Sequence, residues 1–262
     1  MSGDDEIDDT RAPLIDHLIE LRRRLIWSFL ALGVAFVICL YFARPIFAFL
    51  VQPLLRAGQG RLVYTQLFEA FFVEVKVAFF AAAMLAFPVI ANQLWQFIAP
   101  GLYRKERKAL LPFLLATPVL FLLGAALAYL VAIPMALHFL LGFQGNLGGV
   151  QQEALPSVGN YLSFVMQFMF GFGLAFLMPV LLMLLERAGV VTRKQLVGFR
   201  RYAIVANTAI AAVLSPPDIG SMILLAVPLV LLYEVALVGI WFTERRRARE
   251  EAEPDKALVP RE

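Results

Sequence analysis

The feature that most constrains this chain is a series of long segments without a charged residue. Leu25 to Phe42, Val77 to Tyr103 and Ala154 to Leu185 contain no Asp, Glu, Lys or Arg. A helix needs roughly 20 apolar residues to cross about 30 Å of hydrocarbon. The chain is 61% hydrophobic and 16% charged, whereas a soluble chain has about 45–50% apolar and about 25% charged residues. The sequence therefore predicts an all-α integral membrane protein.

The apolar runs divide into six spans. A further uncharged run extends over 109–152, and the stretch LGFQGNLGGVQQEALP at 141–156, which is rich in Gly, Gln and Asn, favours a loop. This loop separates the span before it from the span after it. Arg201 and Pro216 bracket about 14 residues, or roughly 21 Å of helix, so we expect local membrane thinning around this short span. The predicted spans are 25–43, 71–97, 109–136, 160–186, 201–215 and 220–242.

The segments outside the spans are charged. Residues 1–12 form an acidic N-terminus that we predict to be disordered, 13–242 form the transmembrane domain, and 243–262 form a C-terminal tail. This N-terminus is acidic, whereas a cleavable signal peptide begins with positively charged residues. We therefore interpret the first span as a retained membrane anchor.

The basic residues lie mostly on one side of the predicted spans. With six spans both termini share a side, and 19 of the 23 Lys and Arg residues fall on it. Arg44, Arg56, Arg61 and Lys76 are the others. Because positive residues stay in the cytoplasm during insertion, both termini are predicted to be cytoplasmic. The basic loops also predict contact with anionic membrane lipids, and nothing predicts a nucleic-acid partner.

The sequence gives no sign of catalysis. It lacks the G-x-S-x-G motif of serine hydrolases and the H-E-x-x-H motif of metalloproteases. His17 and His138 have no second ligand at a metal-binding spacing, and the single cysteine, Cys39, can form no internal disulfide. We therefore predict that the protein is not an enzyme and has neither metal nor cofactor.

Two predicted cytoplasmic segments combine carboxylates with apolar residues. In Pro13–Leu25 the leucines line one helix face and Glu20 lies on the other. Glu20 pairs with Arg24 at i,i+4 in the simplest interpretation, and faces a partner in the other. The loop WQFIAPGLYRKERKALLP places Glu106 close to Phe97 and Tyr103, which suits either a solvated loop or a peptide-binding surface.

The motifs resemble a known family. HLIELRRRL, WQFIAPGLYRKERK, YLSFVMQFMFGFGLAF and LSPPD are similar, in this order, to the twin-arginine translocase subunit family TatC, over about residues 14–242. The resemblance implies six helices in a cupped bundle within the cytoplasmic membrane of a bacterium. It also implies a receptor for paired-arginine signal peptides of folded cargo. Such a receptor works in an oligomeric complex with TatA and TatB and is driven by the proton-motive force.

The resemblance also implies roles for individual residues. Glu20 and Glu106 would receive the two arginines of the signal peptide. Residues in the same motifs that would shape the site are Arg22, Phe97 and Tyr103. Residues matching family positions on or near the opposite side are Pro53, Tyr129 and Asp218.

One position departs from the family pattern. Many members carry a polar residue just before the proline of the fourth span, where this chain has Leu177. Glu234 is the clearest remaining acid within a span. It suits either cytoplasmic snorkelling or interhelical hydrogen bonding, or else a partner contact or a hydration role. Asn207 and Thr208 suit hydrogen bonds to a neighbouring helix. A small-solute secondary transporter is the alternative function, although no repeat relates the two halves of the chain.

Overall fold

The computed structural model describes residues 4–98, 107–147, 150–152, 154–187, 189–214 and 219–256. The helices are α1 (Asp4–Tyr41), α2 (Ala43–Arg56), α3 (Glu69–Ile98), α4 (Arg107–Leu127), α5 (Ile133–Leu141), α6 (Val158–Ala175), α7 (Met178–Arg187), α8 (Arg193–Gly198), α9 (Arg200–Leu214) and α10 (Ile219–Lys256). A π-helical turn, Ala128–Ala132, joins α4 to α5, and two short strands are β1 (Gly145–Leu147) and β2 (Val150–Gln152).

The helices confirm the predicted all-α membrane class. Among the described residues, five segments are long and apolar enough to cross a membrane, and they overlap the first four predicted spans and the sixth. These segments are Leu18–Tyr41, Glu69–Phe97, Ala116–Leu141, Val158–Arg187 and Ile219–Arg245. α9 lies at the fifth predicted span and has only 15 residues, as the bracketing Arg201 and Pro216 led us to expect.

Helices extend beyond the outermost predicted spans at both ends of the chain. α1 runs without a break from Asp4 through Pro13–Leu25 into the first span. Acidic residues in a first turn favour a helix because they complement its dipole. α10 likewise continues to Lys256. Several arginines of this tail have a glutamate four residues later in the sequence. Oppositely charged side chains at this spacing stabilise a helix.

Two elements were not predicted. α2 is a 14-residue helix that follows the first span and carries Pro53 in its interior. β1 and β2 form an antiparallel hairpin inside the segment predicted as a loop, with Asn146 opposite Gln151. Gly148 and Gly149 separate these strands in the sequence, and a two-residue glycine connection is typical of a hairpin.

Prolines explain the irregular helix geometry within the third and fourth spans. Pro134 has no N–H to donate to the preceding turn, and the helix switches to π geometry there, with Ile133 N–H bonded to Ala128 O. Pro179 also lacks an N–H and interrupts the fourth span, where α6 ends at Ala175 and α7 begins at Met178, but the turn there is narrower instead of wider. Leu177 N–H then bonds to Leu174 O at 3.0 Å, a tighter turn than an α-helix makes.

The chain divides into two compact units. Unit 1 comprises the described parts of 1–52, 61–118 and 155–162. Its core joins α1 to α3 through small side chains, among them Ala35, Cys39, Ala78 and Ala82. Small residues allow close approach of helices in a membrane. Cys39 is therefore a packing residue.

Polar contacts tie the start of α6 to the rest of unit 1. The Tyr161 hydroxyl donates to Leu50 O at 3.0 Å, and Val63 forms a parallel bridge with Ser157. Glu69, the first residue of α3, accepts a 2.7 Å bond from Gly159 N–H. Its other oxygen accepts Thr65 N–H at 2.5 Å. The two helix starts are thereby joined through one carboxylate.

Unit 2 comprises the described parts of 53–60, 119–154 and 163–262. One cluster packs Leu196 of α8 against Tyr233, Leu237 and Ile240 of α10. The Tyr233 hydroxyl donates to Leu196 O at 2.7 Å. α8 begins with a capping box in which Thr192 and Gln195 satisfy each other's backbone N–H groups.

Candidate functional site

A polar cleft in unit 1 contains the first of the two predicted carboxylates. It has a volume of about 360 Å³ and lies between the middle of α1 and the end of α3. Its lining residues are Glu20, Arg23, Arg24, Trp27, Gln93 and Gln96. The amide and carboxylate oxygens among them can accept hydrogen bonds from a cationic peptide, and the indole ring can make a cation–π contact with it.

Glu20 is held by Arg24, as the i,i+4 spacing predicted. Arg24 Nε donates to Glu20 Oε1 at 3.1 Å, and Nη2 donates to the same oxygen. The Arg24 side chain is 19% exposed and that of Glu20 is 33% exposed. Among the side chains that the structure describes, none donates to Oε2 of Glu20.

The pair extends across to α3. Arg24 Nη1 donates to Gln96 Oε1 at 2.6 Å, and Gln96 Nε2 donates to Asn92 Oδ1 at 3.1 Å. The two helices that form the cleft are therefore linked through the guanidinium of Arg24, each of whose three nitrogens has a partner.

The other predicted binding residues are only partly described. Arg22 is exposed on α1 and does not line the cleft, and Phe97 is half-buried at the end of α3. Glu106 and Tyr103 lie outside the described residues, so the geometry that would bring Glu106 to Glu20 stays a prediction.

Pro53 and Tyr129 lie in unit 2. Pro53 is buried within α2, and its carbonyl accepts Ala57 N–H at 3.0 Å. Tyr129 is buried in the π-helical turn. Asp218 lies outside the described residues.

Three polar residues of the last two spans lie on α9 and α10. Asn207 is buried and donates to Leu229 O of α10 at 3.5 Å. Thr208 instead donates to Ile204 O of its own helix at 2.8 Å. Glu234 accepts from Arg200 Nη2 at 2.7 Å, an ion pair between α10 and α9 that corresponds to the interhelical interpretation.

The family model described as Sec-independent protein translocase protein (TatC) matches residues 16–228 of this chain. The chain is 47% identical to the Sec-independent protein translocase protein TatC of Magnetococcus marinus, over 93% of this chain and 89% of that protein. The chain belongs to the TatC family. It is also 37% identical to the Escherichia coli K12 TatC, over 94% of each chain.

Two crystal structures described as the twin-arginine translocase receptor TatC resemble this TatC-family chain. Their TM-scores are 0.75 and 0.77, at 42% and 41% identity. Each covers 85% of this chain, and the matches span 96% and 98% of the solved chains. The chain is thus a multi-pass membrane subunit of the Sec-independent protein translocase, and the small-solute transporter alternative is not supported.

Several cleft residues of this TatC-family chain were not predicted as site residues. Arg24 was identified only as an ion-pair partner of Glu20, and Trp27, Gln93 and Gln96 were not singled out. A signal existed, because Asn92, Gln93 and Gln96 are the polar residues that interrupt the uncharged run 77–103 near its end. A side-chain amide within a membrane span costs free energy unless it forms hydrogen bonds or lines a polar space.

Proposed function

We propose that this chain is the receptor subunit of the translocase and binds twin-arginine signal peptides of folded cargo at the cytoplasmic face. The observation that carries the proposal is the position of Glu20, a carboxylate on the wall of an open polar cleft whose Oε2 receives no bond from the described side chains. In the proposed complex Glu20 binds one signal arginine and Glu106 binds the other. Arg22, Phe97 and Tyr103 border the peptide.

The chemistry of the two partners supports this assignment. A guanidinium is planar and donates several N–H bonds in a fixed fork, whereas a lysine ammonium is a compact charge. A carboxylate is therefore a better receptor for arginine than for lysine. The apolar stretch of a signal peptide contributes roughly 0.8 kcal/mol for each CH₂ that it buries against the helices.

The proposed orientation places both termini in the cytoplasm of a bacterium, because most basic residues lie on the terminal side of the spans. We further propose that the chain assembles with TatA and TatB in an oligomeric complex driven by the proton-motive force. Family membership supports these partners. Candidate contact or structural residues are Pro53, Tyr129, Asn207, Thr208, Asp218 and Glu234.

The proposal is tested by photocrosslinking a twin-arginine signal peptide to the full chain in membranes, from positions next to Glu106. Glu20→Ala and Glu106→Ala each lower crosslinking at least about tenfold, because a hydrogen bond to a charged group contributes about 1.5–3 kcal/mol and about 1.4 kcal/mol corresponds to a factor of ten. The Lys-Lys version of the peptide crosslinks weakly to the unmodified chain.

Glu74→Ala is the matched control. Glu74 is also a carboxylate of unit 1, but it pairs with Arg44 at 3.7 Å near the start of α3, at the opposite end of that helix from the cleft. Its loss leaves crosslinking unchanged. Undiminished crosslinking to the Glu20→Ala, Glu106→Ala double variant would contradict the proposed receptor site.

A further inference from the structure

Arg24 shares the cleft with the carboxylate that is proposed to receive the signal peptide. Its guanidinium lies against Glu20 on the same helix and against Gln96 on α3. Such a neighbour has one of two opposite effects on an incoming arginine. It either competes for the carboxylate or holds the carboxylate in position.

The distribution of the hydrogen bonds favours the second effect. Nε and Nη2 of Arg24 both end on Oε1 of Glu20, and a carboxylate oxygen has about two acceptor sites. Oε1 is thus saturated, whereas Oε2 has no donor among the described side chains. An incoming guanidinium can join at Oε2 without displacing Arg24.

The anchor on α3 fixes Arg24 itself. Its third nitrogen, Nη1, bonds to Gln96 at 2.6 Å, and Gln96 is bonded in turn to Asn92. The Arg24 side chain is also the more buried member of the pair, at 19% exposure against 33% for Glu20. Glu20 therefore faces the cleft as one end of a chain of bonded side chains.

A fixed carboxylate discriminates between arginine and lysine better than a mobile one. The planar guanidinium of arginine forms its full set of hydrogen bonds only when the acceptor carboxylate has a fixed orientation. A lysine ammonium rotates freely and follows a carboxylate that moves. Fixing Glu20 therefore favours the arginine signal more than its lysine analogue.

We propose that Arg24, anchored by Gln96, is a positioning residue that orients Glu20 and so sets the preference for arginine over lysine in the signal peptide. This inference rests on the proposed receptor function. It assigns to Arg24 a role in selectivity rather than direct contact with the peptide.

The test compares two labelled synthetic signal peptides, one with Arg-Arg and one with Lys-Lys, bound to the full chain in lipid nanodiscs by fluorescence anisotropy. Arg24→Lys keeps the positive charge but replaces the three-nitrogen guanidinium with a single ammonium nitrogen. The lysine therefore cannot donate from two nitrogens to Oε1 of Glu20 and from a third to Gln96. The affinity for the Arg-Arg peptide falls about three- to tenfold, the factor for ordering one side chain. The affinity for the Lys-Lys peptide changes less than about twofold, as for an exposed charge.

Two further variants complete the experiment. Gln96→Leu retains Arg24 without its anchor and shifts the ratio of the two affinities in the same direction by a smaller factor. If Arg24→Lys does not fold, Gln96→Leu carries the test. Arg44→Lys is the matched control, since Arg44 pairs with Glu74 at the other end of the α1–α3 pair, and it leaves the ratio unchanged.

The outcomes separate this inference from the proposed function. Equal losses for both peptides in Arg24→Lys would assign Arg24 a general structural role, and tighter Arg-Arg binding would make it a competitor. Either result overturns the inference and leaves the receptor function intact. An unmodified chain that binds both peptides equally overturns the receptor function, and the inference with it.

Discussion

Close packing of α4 against α6 depends on the absence of a side chain at Gly124. A Cβ atom built on Gly124 would lie 2.5 Å from the backbone oxygen of Phe172 and 2.9 Å from a ring carbon of Phe176. The oxygen belongs to a helix backbone and cannot rotate away. Gly124→Ala must therefore push the two helices apart by about 1 Å, since carbon atoms pack at about 3.5–4.0 Å.

The size of the effect follows from two opposing contributions. Overpacking of this kind costs about 1–3 kcal/mol, while the better helix propensity of alanine returns about 1 kcal/mol. Gly33→Ala in α1 isolates the second contribution, because nothing lies within 4 Å of a Cβ at Gly33. The two variants should therefore differ in unfolding free energy by about 1–3 kcal/mol.

The assay is reversible unfolding by sodium dodecyl sulfate in mixed micelles, followed by circular dichroism. Gly33→Ala unfolds at the same or a higher detergent fraction than the unmodified chain, and Gly124→Ala unfolds at a lower fraction than Gly33→Ala. Equal midpoints for the two variants would refute the inference that α4 and α6 touch at Gly124.

Two further predictions concern capping. Glu69→Ala removes the acceptor of Gly159 N–H and Thr65 N–H, so it lowers the thermal midpoint of the protein in detergent. Glu74→Ala on the same helix leaves that midpoint unchanged, and a Glu69→Ala midpoint equal to the control would contradict the cap. Thr192→Ala removes the capping box of α8 at about 1 kcal/mol, so amide exchange in 193–198 rises about fivefold in hydrogen-exchange mass spectrometry. No change in exchange there would show that α8 is held by packing alone.

The membrane class and the approximate positions of the spans were predictable because they depend on composition over about 20 residues. Uncharged runs as long as 77–103 have few alternatives to a spanning helix. The pairing of Glu20 with Arg24 was predictable for a similar reason, since i,i+4 spacing on a helix brings two side chains together whatever surrounds them.

The features of the fold and the site that were not predicted depend on contacts between segments that are far apart in the sequence. α2 follows the first span with no long apolar run of its own, so its helical state could not be separated from a loop. The link from Arg24 to Gln96 joins residues 72 positions apart, and no local pattern specifies which amide meets the guanidinium. Glu69 is similar, because its bond to Gly159 spans 90 positions.

The fourth span illustrates what Leu177 does and does not affect. A break within a membrane helix requires that its freed backbone groups find partners, because lipid supplies none. Here Leu177 N–H bonds to Leu174 O at 3.0 Å, and Leu181 N–H bonds back to Leu177 O at 2.9 Å. The backbone N–H and C=O of Leu177 are therefore both bonded without help from a side chain at 177. A polar residue at this position is not needed to shape the span, so its replacement by leucine leaves the fold intact and excludes a side-chain proton carrier at this position.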